Sequence, residues 1–534
     1  MPDLATHTAL AELRNARKRV RTANIDWVDA MYRAYILTIV GVIAILVASG
    51  YVGDSDISPN GLDQLRDHGP ATVGLGVAIA VAIGLRSGAR GGPLALEAAD
   101  VRHVLLAPID RGRALRGAAF RQVRHTGLAA LAVGAIGGQL AARRLPGNPA
   151  AWTACGAATA ALAALAAAGA GYVAAGRRMS PRLANLLALV IVAWSALDLA
   201  GGVATSPADL LGAFALWPLD IAPLAVIGII VAAAMVVAGL AFVEGLSIEA
   251  AERRSTLIGR LAFAATLQDL RTVLVLRRQL AQEHARRRPW ARAVPGARRW
   301  PIWARGWRGV LRWPGVRVLR VVVLGAAAGA ACAGIAAGTT PLVVVAGLAM
   351  YVAALDSIEP LAQEVDHPSR TDAFPMLRGA VHVRHMPVAA VVMGSVSLIS
   401  LATAFALRPR LSTLAVGGLT MVTATIGSIA GAAIGTISGP PDPLSSWALG
   451  APEIAGLHTI VRLLWPPALA LAGFVPVIVA TRLAEQHRDS VLATTAVSSA
   501  LVLGLELGMV AWVYARDSVL ANIKASFDSL GKTA

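Results

Sequence analysis

Long apolar stretches alternate with polar segments along the whole chain. A helix of about 20 apolar residues crosses the hydrocarbon core of a bilayer. We therefore predict an all-α protein, a polytopic transmembrane helical bundle with about twelve spans. The predicted spans lie at 35–52, 70–85, 126–142, 151–175, 183–204, 221–246, 316–337, 340–355, 387–407, 411–438, 459–480 and 491–514.

The polar segments between these stretches indicate which end of each span faces the cytoplasm, because arginine-rich segments stay on the cytoplasmic side. Eight arginines lie in 86–125 and fifteen in 247–315, whereas 205–220 holds two aspartates and no basic residue. The first half is thus predicted to have six spans with both ends in the cytoplasm. We predict that the protein lies in the cell (inner or cytoplasmic) membrane. The chain is predicted to consist of a first half (1–255), a basic linker (256–315) and a second half (316–534).

Two sequence matches suggest an internal repeat. Leu-Arg-Gly-Ala at 115–118 is followed by Val-Arg-His, and the same two groups recur from 377 and from 383. Residues 207–224 also match residues 440–457 without a gap, at eight of eighteen positions. The halves are therefore predicted to be six-span pseudo-repeats. The two matches differ in offset, so the side on which 440–457 and the C-terminus lie stays open.

Composition narrows the class of protein further. The 534 residues are 56% apolar and 15% charged, with a mean hydropathy of +0.63. These values exclude a disordered chain and are not those of a soluble enzyme. The net charge of +17 comes almost wholly from arginines between the apolar stretches, a pattern that indicates contact with an anionic membrane leaflet rather than nucleic acid. Abundant arginine, alanine and glycine also indicate a GC-rich bacterial genome.

We find no sequence motif for catalysis, nucleotide binding or metal ligation. Gly-Lys-Thr at 531–533 resembles the end of a phosphate-binding loop, but Ser526 stands where that loop needs its first glycine. His382 and His385 have no neighbouring cysteine to complete a metal site. We therefore predict no enzyme activity, no catalytic residue, no metal and no cofactor in this chain.

The polar segment after the second span of each half is the leading candidate site. Residues 86–125 are too apolar for a free loop and too charged to span, so we predict short helices against the cytoplasmic face. A similar acidic, proline-containing segment recurs at 356–386. We interpret both as docking elements for a cytoplasmic partner; a solvated loop is the alternative. The candidate residues are Glu97, Asp100, Leu105, Leu106, Pro108, Asp110 and Arg111, then Glu359, Glu364, Asp366, Pro368, Arg370 and Asp372.

In this layout the chain resembles the permeases of type-2 ABC exporters. A basic amphipathic helix precedes the first span, the loop after the second carries the acidic and apolar segment 97–111, and a short apolar external segment precedes the sixth. The resemblance covers the first half well and the second partly. It implies two permease halves in one chain, which export a hydrophobic or amphipathic substrate. It also implies a separate cytoplasmic ATP-binding subunit, in two copies, that docks on the loop of each half and binds the ATP.

A basic, tryptophan-rich stretch precedes the seventh span, with tryptophans on one helical face and arginines on another. Interleaved arginine and tryptophan can bind single-stranded nucleic acid. A helix in the headgroup layer explains the same pattern, and the adjoining span favours it. We therefore predict membrane lipid as a partner and no nucleic acid. The tryptophans are Trp300, Trp303 and Trp307, and the arginines are Arg305, Arg308 and Arg312.

Charged residues within predicted spans are costly in lipid, which makes each a functional candidate. Asp198 and Glu506 are candidates to bind a proton or a cationic substrate, and Arg462 is a candidate partner for either. An interhelical hydrogen bond or ion pair is the alternative. Glu244 lies near the end of a span, where the interface can solvate it.

Three functions stay open on sequence alone. The first is the permease of an ABC exporter. The second is a secondary transporter with a parallel six-plus-six repeat, driven by an ion gradient through Asp198 or Glu506. The third is a membrane scaffold that transports nothing. Glycines at 325 and 329, and at 427, 431 and 435, predict close helix packing rather than chemistry.

Overall fold

The computed structural model describes residues 59–94, 110–201, 205–249, 299–372, 375–438, 464–486 and 490–533. It also describes short pieces at 12, 15–16, 19, 31, 35, 50, 96, 101, 105, 251–252, 255 and 288–291. All regular secondary-structure elements in the described part of the chain are helices. This confirms the all-α prediction for that part. Contacts divide the chain into two compact units, Met1–Ala262 and Phe263–Ala534, which we call unit 1 and unit 2.

Unit 1 is built around one central helix, α3. This helix packs against α1, α2 and α6, and the short helix α5 lies against α1 and α6. A 3-10 turn, Val243–Gly245, follows α6. The described helices of unit 1 are α1 (Pro59–Gly88), α2 (Arg111–Ala141), α3 (Pro149–Gly176), α4 (Pro181–Leu199), α5 (Asp209–Ala215) and α6 (Ala225–Phe242).

The helices of unit 2 pack one against the next. Helix α8 contacts α9 and α12, α12 contacts α13, and α13 contacts α16. Met350, Met393 and Phe474 are fully buried at its core. The described helices are α7 (Pro301–Val310), α8 (Gly315–Ala336), α9 (Leu342–Ser357), α10 (Glu359–Asp366), α11 (Pro368–Thr371), α12 (Arg378–Leu407), α13 (Leu411–Ile437), α14 (Leu464–Ala472), α15 (Val475–Glu485) and α16 (Val491–Thr533).

Eight described helices are long and apolar enough to cross a membrane, and two bent pairs raise the number to ten if each pair is one span. The chain is therefore a multi-pass membrane protein by the length and composition of its helices. The twelve predicted spans are not confirmed. Helix α2 is long enough but does not reach the apolar composition of the others, and the predicted span 35–52 lies almost wholly outside the described residues.

Local sequence explains where several helices of unit 1 begin. Asp110 accepts a hydrogen bond from the Gly112 amide at 2.8 Å and so caps α2. Asn148 and Ser180 cap α3 and α4, and in both cases a proline follows at the first helical position. These side chains satisfy amides that have no partner within the helix, while proline has no amide to satisfy.

Glycines set how closely the helices approach. A Cβ on Gly84 of α1 would collide with the Ala167 carbonyl of α3. In unit 2, Gly329 lies against the Ser400 carbonyl and Gly431 against the Pro466 carbonyl in the same way. The packing role predicted for Gly329 and Gly431 is therefore confirmed, because only a missing side chain allows these backbones to meet.

Candidate functional site

Six charged side chains gather at one end of unit 2, and we call them the arginine–carboxylate cluster. Three arginines come from α7 and α8, and three carboxylates come from the bent pair α9–α10. Arg317 pairs with Glu359, Arg320 pairs with Asp356, and Arg305 pairs with Glu364. The cluster comprises Arg305, Arg317, Arg320, Asp356, Glu359 and Glu364.

The bend between α9 and α10 brings these carboxylates together. The chain turns by 59° at Ile358, so Asp356 at the end of α9 and Glu359 at the start of α10 both contact Arg317. The Arg317 guanidinium also donates to the Asp356 carbonyl at 2.6 Å and lies 4.4 Å from the centre of the Trp313 ring. One arginine thus holds both sides of the bend.

Glu364 is the most buried member of the cluster, with only 1% of its surface exposed. Its Oε1 lies 2.6 Å from Arg305 Nη1 and 3.6 Å from His385 Nε2. Among the described residues, its Oε2 has no hydrogen-bond partner. A carboxylate taken this far from water needs a charged partner, and Arg305 supplies it.

Beyond the cluster lies a segment that we call the tip, comprising the described residues 367–372 and 375–377. Most of these residues are exposed, whereas Thr371 is buried. Pro368 starts α11 there, and Asp372 follows its end. Asp372 accepts two hydrogen bonds from Arg378, at 2.5 and 2.6 Å, and this guanidinium lowers the pKa of the Asp372 carboxyl. Leu377 is 68% exposed. The candidate segment therefore has an anchored inner part and an exposed outer part.

This arrangement changes the roles predicted for the second segment. Glu359 and Glu364 were expected to face a partner, but both are buried in ion pairs within unit 2. Asp366 ends α10 and is half-buried, whereas Pro368 and Asp372 are exposed. Arg370 lies in α11, and its side chain is outside the described residues.

The corresponding segment of unit 1 is described only in part. Glu97, Asp100, Leu106 and Pro108 lie outside the described residues. Leu105 was expected to pack into a partner, but it is buried in the core of unit 1 together with Leu115 and Tyr172.

The helix start that follows this segment is fully described. Asp110 caps α2 and lies 3.4 Å from Arg113, and Arg111 is exposed. The Leu-Arg-Gly-Ala motif lies within the first turns of a long helix in both units, in α2 and at the start of α12. In unit 1 its arginine, Arg116, pairs at 3.3 Å with Glu244 at the end of the last helix.

The opposite end of unit 1 holds a pair of aspartates that share one backbone amide. The Ser206 amide donates to Asp198 at 2.6 Å and to Asp209 at 3.2 Å. The hydroxyl of Ser206 lies 2.7 Å from that of Ser195. Burial, followed by the neighbouring Asp198 carboxyl, raises the pKa of Asp209 to about 7. Asp198 was a candidate from the sequence, whereas Asp209 was not, because the 205–220 segment was interpreted as an external loop.

Among the carboxylates that the sequence offered as intramembrane candidates, Glu506 is the one that the structure describes as fully buried. It lies on α16 against Gly427 of α13, where a Cβ would overlap its carboxylate. Neither of its oxygens has a hydrogen-bond partner among the described residues. Arg462, its predicted partner, lies outside them. Glu244 is exposed and ion-paired, so it is not an intramembrane charge of the same kind.

The tryptophan stretch forms α7 and the residue before it, directly ahead of α8 in unit 2. Trp300 precedes α7 and is exposed, while the rings of Trp303 and Trp307 meet edge to face with centroids 5.7 Å apart. The opposite side of α7 is buried, and Gly306 packs on Val388 of α12. The helix is therefore fixed to the end of the unit, where its aromatic residues can lie in an interface.

Comparison of the chain with known protein families, with curated proteins and with solved structures found no match.

Proposed function

We propose that the protein is the membrane permease subunit of an ABC-type exporter, driven by a separate ATP-binding subunit. The observation that carries this proposal is the construction of residues 356–378. Arginines of α7 and α8 hold the inner part of this segment by ion pairs, and most of the described residues of its tip are exposed. A segment that transmits force from a partner needs rigid attachment to the spans and a free outer surface.

The short helix α5 also supports this proposal. It lies between the fifth and sixth predicted spans and packs back onto the bundle, with Gly212 against the Pro70 carbonyl of α1. The resemblance to type-2 exporters includes a short apolar segment at this position. The position of helix α5, at the end of unit 1 opposite to Arg116 and Glu244, is consistent with such a segment.

The docking surface can be tested at Leu377, in the exposed tip. We expect Leu377→Ala to weaken association with the ATP-binding subunit by about thirtyfold, because a truncated apolar anchor costs about 2 kcal/mol. The amount of protein in the membrane should not change, because Leu377 contributes little to the core. The measurement first asks whether an ATP-binding subunit is encoded beside this chain, and then compares the binding of that subunit to the purified wild type and variant.

Leu411→Ala provides the matched control. Leu411 is 85% exposed and follows the far end of α12, so the same truncation there removes similar apolar surface away from the tip. Binding that is unchanged in Leu377→Ala, or reduced equally in both variants, would contradict docking at the tip.

An ion-gradient carrier is the second candidate, and Glu506 is the observation that favours it. A fully buried carboxylate with no cationic partner among the described residues can exchange a proton or a cation. For such a carrier, Glu506→Gln abolishes transport and Leu377→Ala leaves it intact. The ABC permease predicts the reverse order, so transport in both variants at matched expression separates the two functions.

A further inference from the structure

A cleft of about 280 Å³ lies beside the arginine–carboxylate cluster, between α7, the start of α8 and the start of α10. Its walls are rich in arginine, and its apolar surface comes from one tryptophan and two prolines. The lining residues are Arg305, Arg308, Gly309, Arg312, Trp313, Pro314, Arg317, Glu359, Pro360 and Gln363.

The charge in this cleft is strongly unbalanced. Four arginines line it against one glutamate. Arg305 and Arg317 are committed to Glu364 and Glu359. Arg308 and Arg312 are exposed, and in the described part of the chain no acid pairs with either of them. The cleft therefore presents uncompensated positive charge to whatever enters it.

The cleft is held in shape before any ligand binds. Trp313 is buried, its carbonyl accepts a hydrogen bond from Trp290 Nε1 at 2.9 Å, and Arg317 stacks on its ring. Gly306 fixes α7 against Val388. The wall beside the donors is therefore rigid, so a bound anion need not order this part of the site.

The surroundings of the cleft favour a lipid over a soluble anion. Helix α8 is long and apolar enough to span the membrane, and it begins at Gly315, directly after the cleft. Val316, Leu319 and Val323 are exposed along one face of this helix. A phosphate held by the arginines would thus have a lipid-facing apolar stripe beside it, where acyl chains can lie.

We propose that this cleft binds the phosphate headgroup of an anionic phospholipid. Arginine suits this ligand because its planar guanidinium donates paired hydrogen bonds to phosphate oxygens. Arg308 and Arg312 supply the contacts that hold the phosphate. Arg305 and Arg317 belong to the wall and keep their carboxylate partners. The site is independent of whether the protein is an ABC permease or an ion-driven carrier.

The test measures binding of phosphatidylglycerol and of phosphatidylcholine to the purified full chain in neutral detergent, by native mass spectrometry. We expect Arg308→Gln with Arg312→Gln to weaken phosphatidylglycerol binding roughly tenfold or more, because each arginine near an anionic headgroup contributes about 1 kcal/mol. Phosphatidylcholine binding, which is weaker from the start, should not change.

The matched control is Arg121→Gln with Arg124→Gln. These arginines are exposed on α2 of unit 1, so the control removes the same charge elsewhere. Equal loss of phosphatidylglycerol binding in both double variants would overturn the proposal, because it would show general attraction rather than a site. If the Arg308→Gln with Arg312→Gln variant lost binding of inorganic phosphate but kept its binding of phosphatidylglycerol, the proposal would also be overturned, since the ligand would then be free phosphate.

Discussion

At the scale of single residues, the ion pair between Arg305 and Glu364 gives the sharpest expectation. Removal of one partner leaves a buried charge uncompensated, so Arg305→Ala should lower the free energy of unfolding by roughly 3–5 kcal/mol. Arg312→Ala removes an exposed arginine close to the same pair. It should change the free energy of unfolding by about 0.5 kcal/mol or less. Thermal unfolding of the detergent-solubilised protein measures both.

A double variant tests whether the loss comes from the stranded carboxylate. Replacement of both partners by methionine keeps similar volume without charge, so it should recover much of the stability that Arg305→Ala loses. A double variant as unstable as Arg305→Ala would show that the guanidinium acts by packing and not by compensating Glu364.

Asp209 should make stability depend on pH. Its pKa is raised to about 7 in the folded protein, against about 3.9 in an unfolded chain. The folded state therefore binds the proton more tightly, and its stabilising contribution is full below about pH 4 and lost as the pH rises to about 7. Asp209→Asn should abolish this loss, so its advantage over the wild type should grow between pH 4 and 7. A constant difference across that range would contradict the raised pKa.

These residues also show what a sequence can predict. The acidic segment at 359–372 was recognised as a site, but Glu359 and Glu364 were assigned to its outer surface. Nothing local to the segment reveals that Arg305 and Arg317, more than 40 residues upstream, cover those carboxylates. Ion pairs between distant elements depend on the packing of the helices, which sequence periodicity does not determine.

At the scale of elements, helix α5 depends on close contact with α1. A Cβ on Gly74 would overlap the Asp209 side chain and come within 2.9 Å of its Cα, whereas a Cβ on Gly76 meets nothing within 4 Å. We expect Gly74→Ala to displace α5 and lower the midpoint of thermal unfolding. Gly76→Ala, on the same helix, should leave it unchanged or raise stability by up to about 1 kcal/mol. Equal midpoints for the two variants would show that α5 is not held by this contact.

Helix positions were the part of the fold that sequence predicted best. An apolar stretch must be buried in lipid or in protein whatever its neighbours are. Its position along the chain can therefore be predicted without knowledge of how the helices pack. The predicted span 340–355 corresponds to α9, but its 59° bend into α10 was not predicted. The bend lies just before Pro360, whose ring cannot fit into a continuing helix. The contacts of Asp356 and Glu359 with Arg317, which is on a different helix, could not be predicted from this segment.

At the scale of the whole molecule, the two units show a common feature although twelve spans are not confirmed. In each, the helix that carries Leu-Arg-Gly-Ala begins beside a later helix of the same unit. In unit 1, Arg116 of α2 pairs with Glu244, directly after α6. In unit 2, Gly379 of α12 packs on the Tyr514 carbonyl of α16. The contacts themselves differ, because Arg378, which matches Arg116 in the sequence, pairs with Asp372 instead. The predicted two-fold repeat is therefore not confirmed. Its second match cannot be compared, because 440–457 lies outside the described residues.

This feature leads to a prediction about sidedness. Helix α6 and its 3-10 turn are long enough to span. Arg111, near Glu244 at the end of that span, should therefore lie across the membrane from Asp220, which precedes its start. Likewise, α12 is long enough to span the membrane, with Ser369 before its start and Leu411 after its end. These two residues should therefore lie on opposite sides. If the halves are parallel repeats with docking segments for one kind of partner, then Arg111 and Ser369 face the same side.

Single cysteines at these four positions, in a chain carrying Cys155→Ser and Cys332→Ala, can be labelled from each side with a reagent that does not cross the bilayer. We expect Arg111→Cys and Ser369→Cys to react from the cytoplasmic side, where arginine-rich segments stay, and Asp220→Cys and Leu411→Cys to react from the other. Labelling of Arg111→Cys and Ser369→Cys from opposite sides would make the units inverted repeats. The two segments could not then dock subunits of one cytoplasmic ATPase, which would contradict the proposed ABC permease. The parallel six-plus-six repeat of the alternative carrier would be contradicted as well.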